Sequence, residues 1–173
     1  MSDLFEERVP PPDARGQRAG AMARRVLVAL FLAAVVLALL DLIGQQPSDS
    51  TATVPSATLR LSAPRTVRGG LIFQGRIEVR ARRQVSQPML TLARGWFEGM
   101  QVQSIEPDPS NQSSGQGGAI SLSYDRLQAG QTLTVWVQAT VDPTYVGDRD
   151  ADVSLADGPT TLATVHHHIT VLP

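Results

Sequence analysis

Hydrophobic and polar positions follow two rhythms along this chain. From 26 to 43 the run VLVALFLAAVVLALLDLI is apolar without a period, with Asp41 as its one polar side chain. At about 1.5 Å per residue a helix of that length spans roughly 27 Å, close to the hydrocarbon thickness of a bilayer. In lipid, backbone amides find partners only within the helix itself. The run predicts one transmembrane helix over 24–43, with Asp41 at its outer end, where a carboxylate reaches headgroup water.

From residue 57 onward the period changes to two. A short strand over 58–61 stops at Ala63-Pro64, and 71–82 then alternates without a break. Leu71, Phe73, Gly75, Ile77, Val79 and Ala81 fall on one face, and Ile72, Gln74, Arg76, Glu78, Arg80 and Arg82 on the other. One buried and one wet face is the mark of an antiparallel sheet. Further strands are predicted over 89–93, 100–105 and 119–124, the last with Ile120, Leu122 and Tyr124 inward. A turn over 128–131 leads into the strongest strand, 132–141, whose core face is Leu133, Val135, Val137, Ala139 and Val141. The final pair is 152–156 and 162–172, joined by Asp157-Gly158-Pro159. Loops are expected at 94–99, which holds Trp96 and Phe97, and at 106–118 (EPDPSNQSSGQGG), which reads as mobile. With seven or eight strands and no further helix signal, the expected fold is all-β: an immunoglobulin-like Greek-key sandwich of two sheets.

The flanks set the organisation. Residues 1–23 carry few large apolar side chains, mixed charge and a Pro10-Pro11-Pro12 run, and are expected to stay unfolded. Residues 44–56 (GQQPSDSTATVPS) read as a flexible linker, leaving 57–173 as the folded module. Arg8, Arg15, Arg18, Arg24 and Arg25 precede the apolar run, and no basic residue follows it until Arg60. Arginines beside a span stay on the cytoplasmic side, so the N-terminus is expected inside and the module outside. A cleaved signal peptide is the competing reading, but DLIGQQP after the run offers no small-x-small cleavage site.

The segment 127–139 (LQAGQTLTVWVQA) resembles the L-x-P-G-x-x-x-T-V-x-V strand pair of bacterial immunoglobulin-like repeats of the DUF11 and CARDB type, and more distantly of fibronectin type III domains. The long strand 71–82, Ile105-Glu106-Pro107 and the closing 153–158 are similar to those repeats in order and spacing. Ala129 stands where the repeats usually carry proline, and Leu133 where fibronectin domains place the tyrosine of their corner. The resemblance implies the sandwich fold and an adhesive or scaffolding role, and it brings over no catalytic residue.

Composition narrows the function classes. There is no Cys, so no disulfide framework supports the module. All fifteen basic residues are Arg, which together with abundant Ala, Gly and Val reads as the coding bias of a GC-rich bacterial genome. A net charge of -1 argues against nucleic acid as a partner. Charge is uneven, with eight Arg and three acids over 45–99 against two Arg and eight acids over 100–173. In a two-layer domain such halves are expected to interleave and neutralise each other.

Three constellations could carry chemistry. His166-His167-His168 on a strand would turn His166 and His168 to one face and His167 to the core, and two imidazoles two residues apart can hold a transition metal if further ligands arrive. Asp148, Asp150 and Asp152 have calcium-loop spacing, yet Val153 stands where such a loop needs Gly and Pro159 where it needs Glu. Trp136 falls on the polar face of its strand and Trp96-Phe97 in a loop, the placement expected of a sugar- or protein-binding surface unless an edge loop or the chain's own ends cover them. The nucleophile and metalloprotease motifs G-x-S-x-G, H-E-x-x-H and S-x-x-K are absent, so an enzyme is not expected. No cofactor is implied. The expected function is an extracytoplasmic binding or scaffolding module that engages another cell-envelope protein, held in the bilayer through 26–43. The alternative is a module that binds metal or cell-wall glycan.

Overall fold

The computed structural model describes residues 14–39 and 47–173. It divides into two units, Met1–Gly44 and Gln45–Pro173.

The first unit contains one α-helix, α1 (Ala14–Leu39). Its start corrects the expectation of an unfolded tail up to residue 23, since 14–23 are helical. From 22 to 36 every side chain is exposed, among them Leu27, Leu30, Phe31 and Leu32. Among the described residues of this unit nothing covers these apolar side chains. Among the described residues no helix is long and apolar enough to cross a membrane. Residues 40–43 of the expected span, with Asp41, lie outside the described residues, as do 1–13 and 44–46.

The second unit is built of strands. In chain order they are β1 (Pro47–Thr53), β2 (Ala57–Pro64), β3 (Thr66–Arg68), β4 (Ile72–Ala81), β5 (Pro88–Leu92), β6 (Met100–Glu106) and β7 (Asn111–Ser114). There follow β8 (Ile120–Ser123), β9 (Thr132–Val141), β10 (Gly147–Asp150), β11 (Val153–Asp157), β12 (Thr160–Val165) and β13 (His168–Leu172). One five-stranded sheet has the order β1-β2-β4-β9-β6 and a second has β12-β11-β5-β8-β7. A three-stranded sheet, β10-β13-β3, pairs β13 with β3 in parallel. The chain passes directly from one five-stranded sheet to the other between β4 and β5, β5 and β6, β6 and β7, and β8 and β9, so the two are filled by alternating excursions.

The inward positions form one core. Phe73, Ile77, Val79 and Ala81 of β4 and Val135, Val137, Ala139 and Val141 of β9 join Leu59 and Leu61 of β2, all buried. Leu90 and Leu92 of β5, Leu122 of β8, Val153 and Leu155 of β11, and Ile169 and Val171 of β13 belong to the same cluster. Burial of a Val, Leu or Phe side chain contributes about 1.5–3 kcal/mol, so these rows supply the main driving force of folding. Tyr124 is inward as expected and Leu133 half-buried, whereas Leu71, one residue ahead of β4, is exposed.

Thirteen strands among the described residues, where seven or eight were expected, come largely from polar segments. β1 occupies most of the expected linker and pairs with β2 from Pro47↔Pro64 to Thr53↔Thr58. β7 occupies part of the expected mobile loop and pairs with β8. Both lie at sheet edges, where a strand is held by backbone hydrogen bonds on one side and needs no apolar row of its own. The expected single strand 162–172 is broken at His166-His167. Before the break β12 pairs with β11, and after it β13 pairs with β10. The alternation of burial nevertheless runs through the break, with Val165, His167 and Ile169 inward.

Candidate functional site

The outer face of the first sheet is its polar side. Its strands are in register so that Asp49, Ser62, Arg76, Trp136 and Glu106 form one row across all five. The next row carries Thr51, Arg60, Glu78 and Thr134. Trp136 is 37% exposed, as its place in the alternation of β9 predicts. The Arg76 guanidinium carbon lies 5.5 Å from the Trp136 ring centroid, within reach of a cation–π contact, while its Nη2 donates to Glu78 at 2.6 Å. Arg60 pairs with Asp49 on β1. Hydrogen bonds from Arg60 and Ser62 hold the Asp49 carboxyl below its usual range, and Asp49 raises Arg60 in return. Both members of that pair are exposed, so it fixes side-chain position more than it stabilises the fold.

Trp96 is not on a surface. It ends a one-turn helix (Arg94–Trp96), is 0% exposed, and donates from Nε1 to the Ala151 carbonyl at 2.9 Å. Its ring centroid lies 6.2 Å from that of Phe73, and its six-membered ring occupies the space that a side chain at Gly75 would fill. Phe97 is half-buried against the same core. For Trp96 and Phe97 the binding-surface reading is therefore corrected, and the alternative, that they are covered, is what the fold does. The segment around them looks like a loop, but an indole can enter a core when its N–H finds an acceptor, and here it does. A glycine in the middle of the inward row of β4 is the signal that a large side chain arrives from elsewhere.

The histidine triplet and the three aspartates, two separate candidates in the sequence, are brought together. Register places Asp150 opposite His168 and Asp148 opposite Thr170. His168 Nδ1 lies 3.1 Å from Asp150, and its Nε2 lies 3.7 Å from Asp148. His166 Nδ1 lies 2.8 Å from Asp152. Asp152 also accepts from the His167 amide at 3.1 Å, and Thr170 donates to Asp148 at 2.7 Å. The calcium-loop expectation is corrected, because Asp148 and Asp150 stand on β10 with Arg149 turned inward between them. His166 and His168 contact different carboxylates, and among the described residues no group of three or more His, Cys, Asp or Glu converges as a metal cage. His167 is buried, with Nε2 3.3 Å from the Pro64 carbonyl. Burial pushes its pKa down, opposed in part by that carbonyl, so the ring is neutral.

A cleft that the sequence does not signal lies between the Arg94–Trp96 turn and the segment that joins β9 to β10. Arg94, Glu98, Tyr145, Asp148, Arg149 and Asp150 are among the residues that line it. Glu98 is shared there, paired with Arg94 at 3.0 Å and accepting from the Tyr145 hydroxyl at 2.9 Å. That hydrogen bond raises the Tyr145 pKa.

No protein-family model matches this chain, and no curated protein is detectably similar to it. Among solved structures it is similar to a non-cellulosomal cohesin from the hyperthermophilic archaeon Archaeoglobus fulgidus, with 13% identity and a TM-score of 0.42 over 64% of this chain and 88% of that one. It is also similar to CaCohA2 from Clostridium acetobutylicum, with 11% identity and a TM-score of 0.41 over 73% of this chain and 91% of that one.

Proposed function

We propose that this chain is a membrane-tethered binding module whose β unit engages another protein of the cell envelope through the outer face of the first sheet. Trp136 carries this reading. A partly exposed indole with an arginine against it combines the two residue types that contribute most to protein interfaces. Five strands spaced about 4.8 Å apart and up to about 33 Å long present a face on the order of 600–800 Å². That is close to the ~800 Å² which one partner supplies to a standard interface. Trp96, the other tryptophan, is withdrawn into the core and adds nothing to this face. The tether rests on the apolar run 26–43, on the arginines confined to its N-terminal flank, and on the exposed apolar side chains of α1. These support an N-terminus in the cytoplasm and the β unit outside it.

A photo-crosslinking side chain at Gln138, on the same face of β9, tests the reading in intact cells. One dominant envelope-protein adduct is expected, reduced at least tenfold by Trp136→Ala while the melting temperature of the β unit is unchanged. No adduct, or one indifferent to Trp136→Ala, overturns it.

A second reading, transition-metal binding, rests on two separate imidazole–carboxylate pairs, His166 with Asp152 and His168 with Asp150, rather than on one cage. It predicts a rise in melting temperature with zinc or copper that disappears in the double variant His166→Ala/His168→Ala.

A further inference from the structure

The cleft beneath Tyr145 ends on a charge without a partner. Arg149 is only 6% exposed, and both of its terminal nitrogens are buried without a hydrogen bond. A buried ion costs several kcal/mol unless it is paired, so such a guanidinium calls for a counter-charge. The Tyr145 ring, 4.5 Å away, supplies a cation–π contact but no counter-charge. The acids near it are engaged elsewhere: Glu98 with Arg94 and Tyr145, Asp148 with Thr170, and Asp150 with His168.

The cover over this charge is built in place. Gly99 has φ +64°, and any Cβ there would fall 2.4 Å from the Tyr145 ring, so the ring lies directly on the Gly99 backbone. Asp142 accepts from the amide and the hydroxyl of Thr144, while its own amide donates to the Gly99 carbonyl. Tyr145 is 40% exposed, and its hydroxyl is tied to Glu98 at the rim.

We infer that the cleft between the 94–96 turn and the β9–β10 connection binds a singly charged carboxylate, held by the planar fork of Arg149 and admitted when the Tyr145 ring swings off it. The two free nitrogens match the two oxygens of a carboxylate in side-by-side geometry. The acids Glu98, Asp148 and Asp150 that share the lining disfavour a phosphate dianion more strongly than the single charge of a carboxylate. This site is independent of the face around Trp136.

The test follows the Arg149 Nε–Hε resonance of the full-length chain in detergent micelles during titration with sodium acetate, inorganic phosphate and sodium chloride. Acetate is expected to give a saturating shift, chloride at equal ionic strength none, and phosphate binding at least tenfold weaker. Tyr145→Ala should tighten acetate binding several-fold. Arg149→Met should abolish the saturating response at the Tyr145 ring protons, with Arg149→Lys as a second variant that keeps the charge but loses the fork. A blocked Gly-Asp-Gly peptide that binds more tightly than acetate assigns the carboxylate to a partner's side chain, and one that does not assigns it to a free acid; both support the site. The inference is overturned by no saturation with acetate in either the native chain or Tyr145→Ala, or by phosphate binding as tightly. It is also overturned if Glu98→Gln alone shifts the Arg149 resonance as strongly as acetate, which would mean that Glu98 already neutralises it.

Discussion

Gly75 and Trp96 act as one unit. The indole sits where a methyl at Gly75 would come within 2.5 Å of it, and β4 allows no sideways retreat because it is paired on both edges. Gly75→Ala is expected to lower stability by about 1–3 kcal/mol through overpacking, read as a reduced urea midpoint at unchanged m-value. Tyr124 illustrates the opposite case. Its hydroxyl is buried without a partner, and burial, with a smaller contribution from Asp108, pushes its pKa up to about 12. The unfolded chain gives up this proton near pH 10 and the folded chain near 12. Stability from this group is therefore whole below about pH 10 and is lost as pH rises through 12. Tyr124→Phe should be neutral or stabilising by up to about 1 kcal/mol at pH 7, since no hydrogen bond is lost. It should also flatten the decline of the denaturation midpoint between pH 10 and 12.

β1 has a composition that predicts a linker and a position that makes it a strand. Seven residues of Ser, Thr, Ala, Pro and Asp offer almost nothing to a core, yet they satisfy the open edge of β2 along its whole length. Deleting 47–53 should therefore cost about 1–2 kcal/mol and leave β2 as an unprotected edge. Sedimentation velocity should then show concentration-dependent association that the intact chain lacks. The junction between β12 and β13 carries a second dependence. His167 keeps the inward phase across the break, and burial lowers its pKa; Arg65 and His168 act in the same direction, and the Pro64 carbonyl and Asp152 against it. The folded state thus holds a neutral ring where the unfolded chain, near pH 6.5, takes a proton. Its contribution is whole above about pH 6.5 and is lost as pH falls through the lower folded value. The urea midpoint should drop between pH 7.5 and 5, with a shallower slope in His167→Phe.

The chain behaves as two units, and the arrangement of charge belongs to the second. Its Arg–carboxylate pairs, Arg60–Asp49, Arg76–Glu78 and Arg94–Glu98, all lie within the arginine-rich half of the sequence. Asp148, Asp150 and Asp152 of the later half lie beside histidines instead. Among the described residues no Arg–acid pair joins the two halves, although their strands interleave in both five-stranded sheets as expected. Because the core cluster lies wholly within Gln45–Pro173, that segment expressed alone should unfold in one cooperative transition. Its melting temperature should lie within about 2 °C of the full chain's; a fall of 10 °C would show that the first unit completes the fold.

Alternation along 72–81 and 132–141 was enough to name the all-β class, the long central strands and most of their inward residues, because a period of two has one physical meaning when one face is buried. It also placed Trp136 outward and His167 inward. The polar edge strands were not legible, since backbone pairing leaves no mark on side-chain type. The burial of Trp96 could not be read locally because its partners, Gly75 and the Ala151 carbonyl, are 21 and 55 residues away. The meeting of the histidines with the aspartates, and the isolated charge of Arg149, exist only because β10 is laid beside β13 in one register. Local pattern decides which way a side chain faces; what it then meets depends on strand order, which pairs residues far apart in the chain.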